Sequence, residues 1–262
     1  MKKFTSAVIL MVSLWGLVSC TKVIEVDITQ APSKVVIEGE LTQGPGPHVV
    51  HLSRSVGISD ASIFPEVQGA VVVIADDEGN AETLYETRPG YYATDSLLGR
   101  PGHTYILTAN VGAETFTASS TMPQIVALDS LYNLQATLFG GTRYPVIVKL
   151  QDPGGIKNQY RFVSYIGGNR QAGSIVSNDD FFDGQLTEVF LPGLGAELEL
   201  GDTLRLEMQC IDAGVFEYFS SFGTNQGPGG GSAPSNPYSN IMGGAMGYFN
   251  ACATDSRTIV IR

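Results

Sequence analysis

Hydrophobic and polar residues alternate with a period of two along much of the chain. In KVVIEGELT, Val35, Ile37 and Leu41 fall on one face and Lys34, Glu38 and Glu40 on the other, the pattern of a half-buried strand. HVVHLSRS follows after the turn-forming QGPGP, and GAVVVIADD is apolar on both faces, which predicts a central strand. Turns at DDEGN, RPG and RPGH lead into AETLYET, YYATD and TYILTANV. TYILTANV and ETFTASS flank Gly112 and predict a hairpin. Strands spaced by Gly/Pro turns at roughly 8–12 residues predict an immunoglobulin-like β-sandwich over residues 33–122. The Cys–Trp–Cys core of a true immunoglobulin domain is missing, because the single tryptophan is Trp15.

After TMPQ, the segments ALDSLYNL, YPVIVKLQD, NQYRFVSYIGG, TEVFLPG and DTLRLEMQCID predict a second β-rich domain over residues 123–262. AGVFEYFSSF has a helical period instead, with Val215, Phe216, Phe219 and Phe222 on one stripe. GTNQGPGGGSAPSNPYSN, residues 223–240, is dense in Gly, Pro, Ser and Asn and reads as a long loop. AMGYFNA and RTIVIR then return as strands. The expected fold class is all-β: an N-terminal immunoglobulin-like sandwich, then a second sandwich-like domain with one short helix.

The first residues break this pattern. Lys2 and Lys3 precede a mostly apolar run, Ala7 to Val18. That run is too short to cross a bilayer, which takes about 20 residues. Leu17, Val18, Ser19 and Cys20 then resemble the lipobox of bacterial lipoproteins. The expectation is a cleaved signal peptide over 1–19, a diacylglycerol on the Cys20 sulfur, and a tether over 20–32. One acyl chain binds a membrane marginally at roughly 0.8 kcal/mol per buried methylene, and two or three chains hold firmly. Outer-membrane lipid is therefore the first expected partner, on either the periplasmic or the cell-surface face. Removing 1–19 takes away Lys2 and Lys3 and no acid, so the formal charge moves from -11 to -13. An acidic protein repels phosphate backbones, which argues against nucleic acid as a partner.

Candidate chemistry is sparse. Cys210 and Cys252 remain once Cys20 is lipidated, and an exported protein can oxidise them to a disulfide or bury both as thiols. His48 and His51 sit three apart on one strand and face opposite sides, so they do not chelate together, and a solvent or rim role, rather than a metal role, is expected for them and for His103. The segment 123–262 has no histidine, which excludes a Ser-His-Asp arrangement within it. No G-x-S-x-G, H-E-x-x-H, paired C-x-x-C or G-K-[ST] motif occurs. Asp76, Asp77 and Glu78 precede Gly79 and read as a hairpin turn. SNDDFFDG places Asp179, Asp180 and Asp183 close together as a candidate calcium cluster, without the spacing of an EF-hand loop. The 223–240 loop and the glycine-rich IMGGAMGYF after it form the candidate partner-binding segment, with Tyr238, Asn240, Met242, Met246 and Tyr248 as its contact residues.

Taken in order, the pieces SCTKVIEVD, KVVIEGELTQGPGPHVVHLSRS, GAVVVIADDEGN, GYYATD, STMPQIVALDSLY, NDDFFDGQ and NPYSNIMGGAMGYFNA resemble a family of Bacteroidota outer-membrane lipoproteins known as a domain of unknown function, DUF4249. The resemblance covers nearly the whole mature chain. It implies a setting beside TonB-dependent outer-membrane transporters and an accessory role in uptake, with no catalytic residues to carry over. The expectation is thus a non-enzymatic accessory or ligand-binding lipoprotein that needs no cofactor. The alternatives are a carboxylate-based hydrolase and a purely structural envelope lipoprotein.

Overall fold

The computed structural model describes residues 32–57, 63–138, 141–191, 194, 198–225 and 238–262. The signal segment 1–19, Cys20 with the tether to residue 31, and residues 226–237 of the 223–240 loop lie outside the described residues.

β1 (Val35–Thr42) has the face the alternation predicts: Val35, Ile37 and Leu41 are buried and Glu38 is exposed. It is followed by β2 (Gly44–Pro45), β3 (Val49–Arg54), β4 (Val71–Asp76), β5 (Ala81–Thr83), β6 (Tyr85–Arg88) and β7 (Tyr91–Ala93). Then come β8 (Leu98–Gly99), β9 (Thr104–Val111) and β10 (Glu114–Thr121). β9 and β10 are the hairpin expected around Gly112, whose positive φ of 61° suits a residue without a Cβ. The order β1-β3-β7-β6 makes one layer, with β1 and β3 antiparallel. A second sheet carries β10-β9-β4-β5. Ile37, Leu52, Ile74, Leu107 and Phe116 meet between them in the core. Each such side chain contributes roughly 1.5–3 kcal/mol on burial.

The rest of the chain adds β11 (Leu128–Asn133), β12 (Ala136–Leu138), β13 (Gly141–Arg143), β14 (Val146–Gln151) and β15 (Gln159–Ile166). β16 (Asn169–Arg170), β17 (Ile175–Asn178), β18 (Leu186–Leu191) and β19 (Thr203–Ile211) follow. Last come a helix, α1 (Ala213–Asn225), and the strands β20 (Ile241–Met242) and β21 (Met246–Val260). β20 joins the edge of the β10-β9-β4-β5 sheet through β10. β11, β14 and β18 form a three-stranded sheet, and β15 and β19 run antiparallel in the large sheet. Val148, Leu150, Phe162, Leu206 and Met208 extend the same core. The fold is all-β.

The two returning segments AMGYFNA and RTIVIR are one strand. β21 spans 15 residues, roughly 50 Å at a strand's rise. Its first half, Met246–Cys252, runs parallel to β1, and its second half, Ala253–Val260, runs antiparallel to β19. Because β1 and β19 share β21, one sheet crosses the sequence boundary expected at residues 122 and 123. Ser33–Arg262 form a single compact unit.

Candidate functional site

α1 is fixed by the residue that starts it. Asp212 caps the helix: its Oδ1 accepts the Val215 N–H at 2.8 Å. Its Oδ2 accepts the Ser120 hydroxyl at 2.6 Å and the Thr121 N–H at 3.1 Å, which ties the helix start to β10. Held this way, α1 lies over the outer face of the large sheet. Val215 packs on Ile211 and Cys252 there, all fully buried. Tyr218 and Phe219 meet Tyr248 of β21 in an aromatic trio with ring centres 4.9–5.0 Å apart.

A polar network is covered by the same helix. Arg161 on β15 is 3% exposed. Its Nη1 donates to Glu40 at 3.2 Å and to the Gln209 carbonyl oxygen at 3.0 Å, and its Nε donates to the Ser174 hydroxyl at 3.0 Å. Its guanidinium carbon stands 3.9 Å above the Phe219 ring centre and 5.9 Å from that of Tyr248. The Gln209 amide donates onward to Glu40 and Glu207. Strand register builds this network, since Arg161 lies opposite Gln209 and Glu40 opposite Asn250.

Between α1 and the β15–β17 hairpins lies a cleft of about 840 Å³. Arg161, Arg170, Ser174, Tyr218, Ser220 and Tyr248 line it, and Glu38 stands at its rim. Burial pushes the Tyr248 phenol up to about 12; Arg161 opposes the rise, and Glu40 and Glu38 add to it. Tyr248 therefore stays a protonated hydrogen-bond donor at physiological pH. The Tyr218 phenol is raised too, again mainly by burial. Beyond the rim, His51 lies between Glu66 at 2.7 Å and Glu38 at 3.3 Å, and stacks on Tyr91 with ring centres 4.1 Å apart.

The structure separates the residues singled out from sequence. Cys210 and Cys252 are both free and buried. Antiparallel register sets Cys210 opposite Ala253, so Cys252, one residue earlier, points to the other face and the two cannot form a disulfide. Burial raises the Cys210 thiol to about 11 and the Cys252 thiol well above its ordinary value. His48 is not at a rim: it is buried, 3% exposed, and its Nε2 donates to the Leu97 carbonyl at 3.1 Å. His103 pairs with Asp77 at 2.8 Å. The Asp76 carboxylate closes its own turn on the N–H groups of Glu78 and Asn80.

The calcium candidates divide. Asp179 and Asp183 converge with Asp152, with carboxylate oxygens within 4.8 Å of one another. Asp180 turns aside to Lys157 at 3.4 Å and the Asn178 amide at 2.7 Å. Each of the three convergent acids already accepts a backbone N–H: Asp152 from Gly184, Asp179 from Asn158 and Asp183 from Gly155. Asp152 also accepts the Tyr160 hydroxyl. They clamp the loop after β14 to the loop after β17. Of the partner-binding candidates, Tyr238 and Met242 are 50% and 74% exposed, and Met246 is half-buried. Asn240 spends its amide on the backbone of Phe249. Tyr248 alone of the five lines the cleft.

Arg161, Ser220 and Glu40 were not singled out from sequence. The available signal was Arg161 itself, a charge among Tyr160, Phe162 and Val163 in a strand with no polar face of its own. The family model for a domain of unknown function, DUF4249, matches residues 21–258. The chain belongs to the DUF4249 family. A search of curated proteins finds no match. Among solved structures, the chain is similar to a segment of two fibronectin type III domains from chicken tenascin. That match has 11% identity and a TM-score of 0.20, and covers 68% of this chain and 90% of that one. A superposition that loose carries no argument about function.

Proposed function

We propose that this DUF4249 chain is a lipid-anchored outer-membrane protein that binds rather than transforms its ligand and serves a TonB-dependent transporter as an accessory in uptake. The observation that carries the binding half of this reading is the cleft over Arg161: a buried cation and an aromatic wall framed by a capped helix. The hydroxyl on the cleft and the thiol beneath the helix also favour binding over turnover. Ser220 has no histidine beside it, since the three histidines bond to Leu97, to Glu38 and Glu66, and to Asp77. Cys252 is fully buried beneath α1. A nucleophile needs an adjacent base or a lowered pKa; Ser220 Oγ bonds to no base, and burial raises the Cys252 thiol. The Asp152, Asp179 and Asp183 group supports a hydrolase less well, because its carboxylates are engaged in holding two loops.

The anchoring half rests on Cys20 and the apolar run before it. The test is affinity purification of the full-length chain from detergent-solubilised outer membranes. A β-barrel transporter should co-purify in stoichiometric amount, and Cys20→Ala should leave the membrane fraction. A wild-type chain that purifies without a barrel overturns the accessory role, and a Cys20→Ala chain that still pellets with outer membranes overturns the anchor.

A further inference from the structure

We infer that the cleft over Arg161 takes a small monocarboxylate whose carboxylate meets unspent donors of Arg161, Tyr248 and Ser220 and whose apolar body lies along the aromatic wall. This names the ligand class of the cleft and rests on reading that cleft as a binding site. Three polar groups on its lining have no hydrogen bond among the described residues. Arg161 uses Nε and Nη1 and leaves Nη2 unbonded. Ser220 Oγ is buried without a partner. The Tyr248 side chain makes only ring contacts, although the residue is 8% exposed. Leaving a buried polar group unpaired is costly, so the buried Ser220 Oγ, beside two further donors that bond to no described residue, marks a place where something else supplies the partner.

The chemistry of the three groups sets the partner's type. A guanidinium is donor only, and the tyrosine and serine hydroxyls are donors when an acceptor faces them. A ligand that satisfies all three presents acceptor oxygens, and a carboxylate on arginine gives the stronger, charge-assisted bond. Glu38 and Arg170 also line the cleft and offset one another in charge, so the lining is matched by the one carboxylate that Arg161 takes. Phe219, Ile175 and Val176 line the remainder with apolar surface, which suits a ring or a short hydrocarbon.

The full chain in detergent can be titrated with naphthylacetate, with its neutral amide, and with a naphthalene dicarboxylate. Trp15 is the single tryptophan and lies in the proposed signal segment, so in the processed chain naphthalene fluorescence is read against tyrosine alone. Naphthylacetate should bind at least about tenfold more tightly than the amide, the worth of one charge-assisted hydrogen bond, and more tightly than the dicarboxylate. Arg161 is unsuited to the test because it also holds the network together. Tyr248→Phe and Ser220→Ala delete hydroxyls without partners; each should weaken naphthylacetate several-fold and leave the melting temperature unchanged. Equal binding of acid and amide, no saturable binding of the acid at millimolar concentration, or unchanged affinity in both variants overturns the inference. Each of these results is read on the purified chain alone, so it is separate from whether a transporter co-purifies.

Discussion

Arg161 shows what one buried charge does in this molecule. The side chains of Arg161 and Glu40 are 4% and 30% exposed, so water reaches the acid but hardly the base. Breaking a fully buried ion pair costs about 3–5 kcal/mol because the remaining charge is stranded. Arg161→Met should cost less, about 2–3 kcal/mol, since Glu40 keeps some water. Urea unfolding would read this as a lowered midpoint with little change in slope. Arg161→Lys should not rescue the loss, because an ammonium cannot reach Ser174, Glu40 and Gln209 with one planar fork. His48 makes a second residue-scale prediction. Burial lowers its pKa below the ordinary 6.5, against weaker raising by its bond to Leu97 and by Glu82. The unfolded chain then binds the proton more tightly. The His48 contribution is intact above pH 6.5 and is lost progressively below it, toward the lowered folded value. In melting-temperature profiles between pH 7 and 5, His48→Gln should flatten the acid-side fall; an unchanged profile would assign that fall to other groups.

At the scale of elements, β21 carries most of the account. Gly247 adopts φ +103°, and a Cβ there would sit 2.0 Å from the Ile37 carbonyl oxygen. Gly247→Ala must therefore push β21 off β1, and should cost at least about 2 kcal/mol from strain and overpacking. Loss of amide protection in Val35–Thr42 before other strands would place the damage at this seam. Much of the element list is legible in sequence, because alternation is local: Val35, Ile37 and Leu41 read directly as an inward face, and Val215 and Phe219 as a helix stripe. The pairing of β1 with β21 is not legible. Val36 and Met246 are partners across 210 residues of chain, and period-two patterning says which face is buried, not which strand lies alongside. The same limit hid the site. Arg205, Glu207 and Gln209 alternate with Leu204, Leu206 and Met208 and read as a solvent face. The structure lays α1 over part of that face and turns Gln209 into a buried member of the network.

For the whole molecule, sequence reaches the N-terminal segment and the side-chain chemistry. Cys20 and its apolar run carry the proposed attachment, and the motif search named no catalytic group to carry forward. The cleft, built from β15, β21 and α1, needed the fold, because its donors come from positions as far apart as 161, 220 and 248. Of these, Tyr248 was in view from sequence as part of a glycine-rich segment. Arg161 and Ser220 acquire meaning only when register and helix capping bring them to one lining. The proposed role, holding a ligand near a membrane and handing it on, requires a barrel at the protein's side. The measurement that tests this most directly is the native mass of the full-length chain released from outer membranes in mild detergent. The account predicts one lipidated chain bound to one transporter barrel. A spectrum holding the lipidated chain alone, under conditions that keep other outer-membrane complexes together, would contradict it.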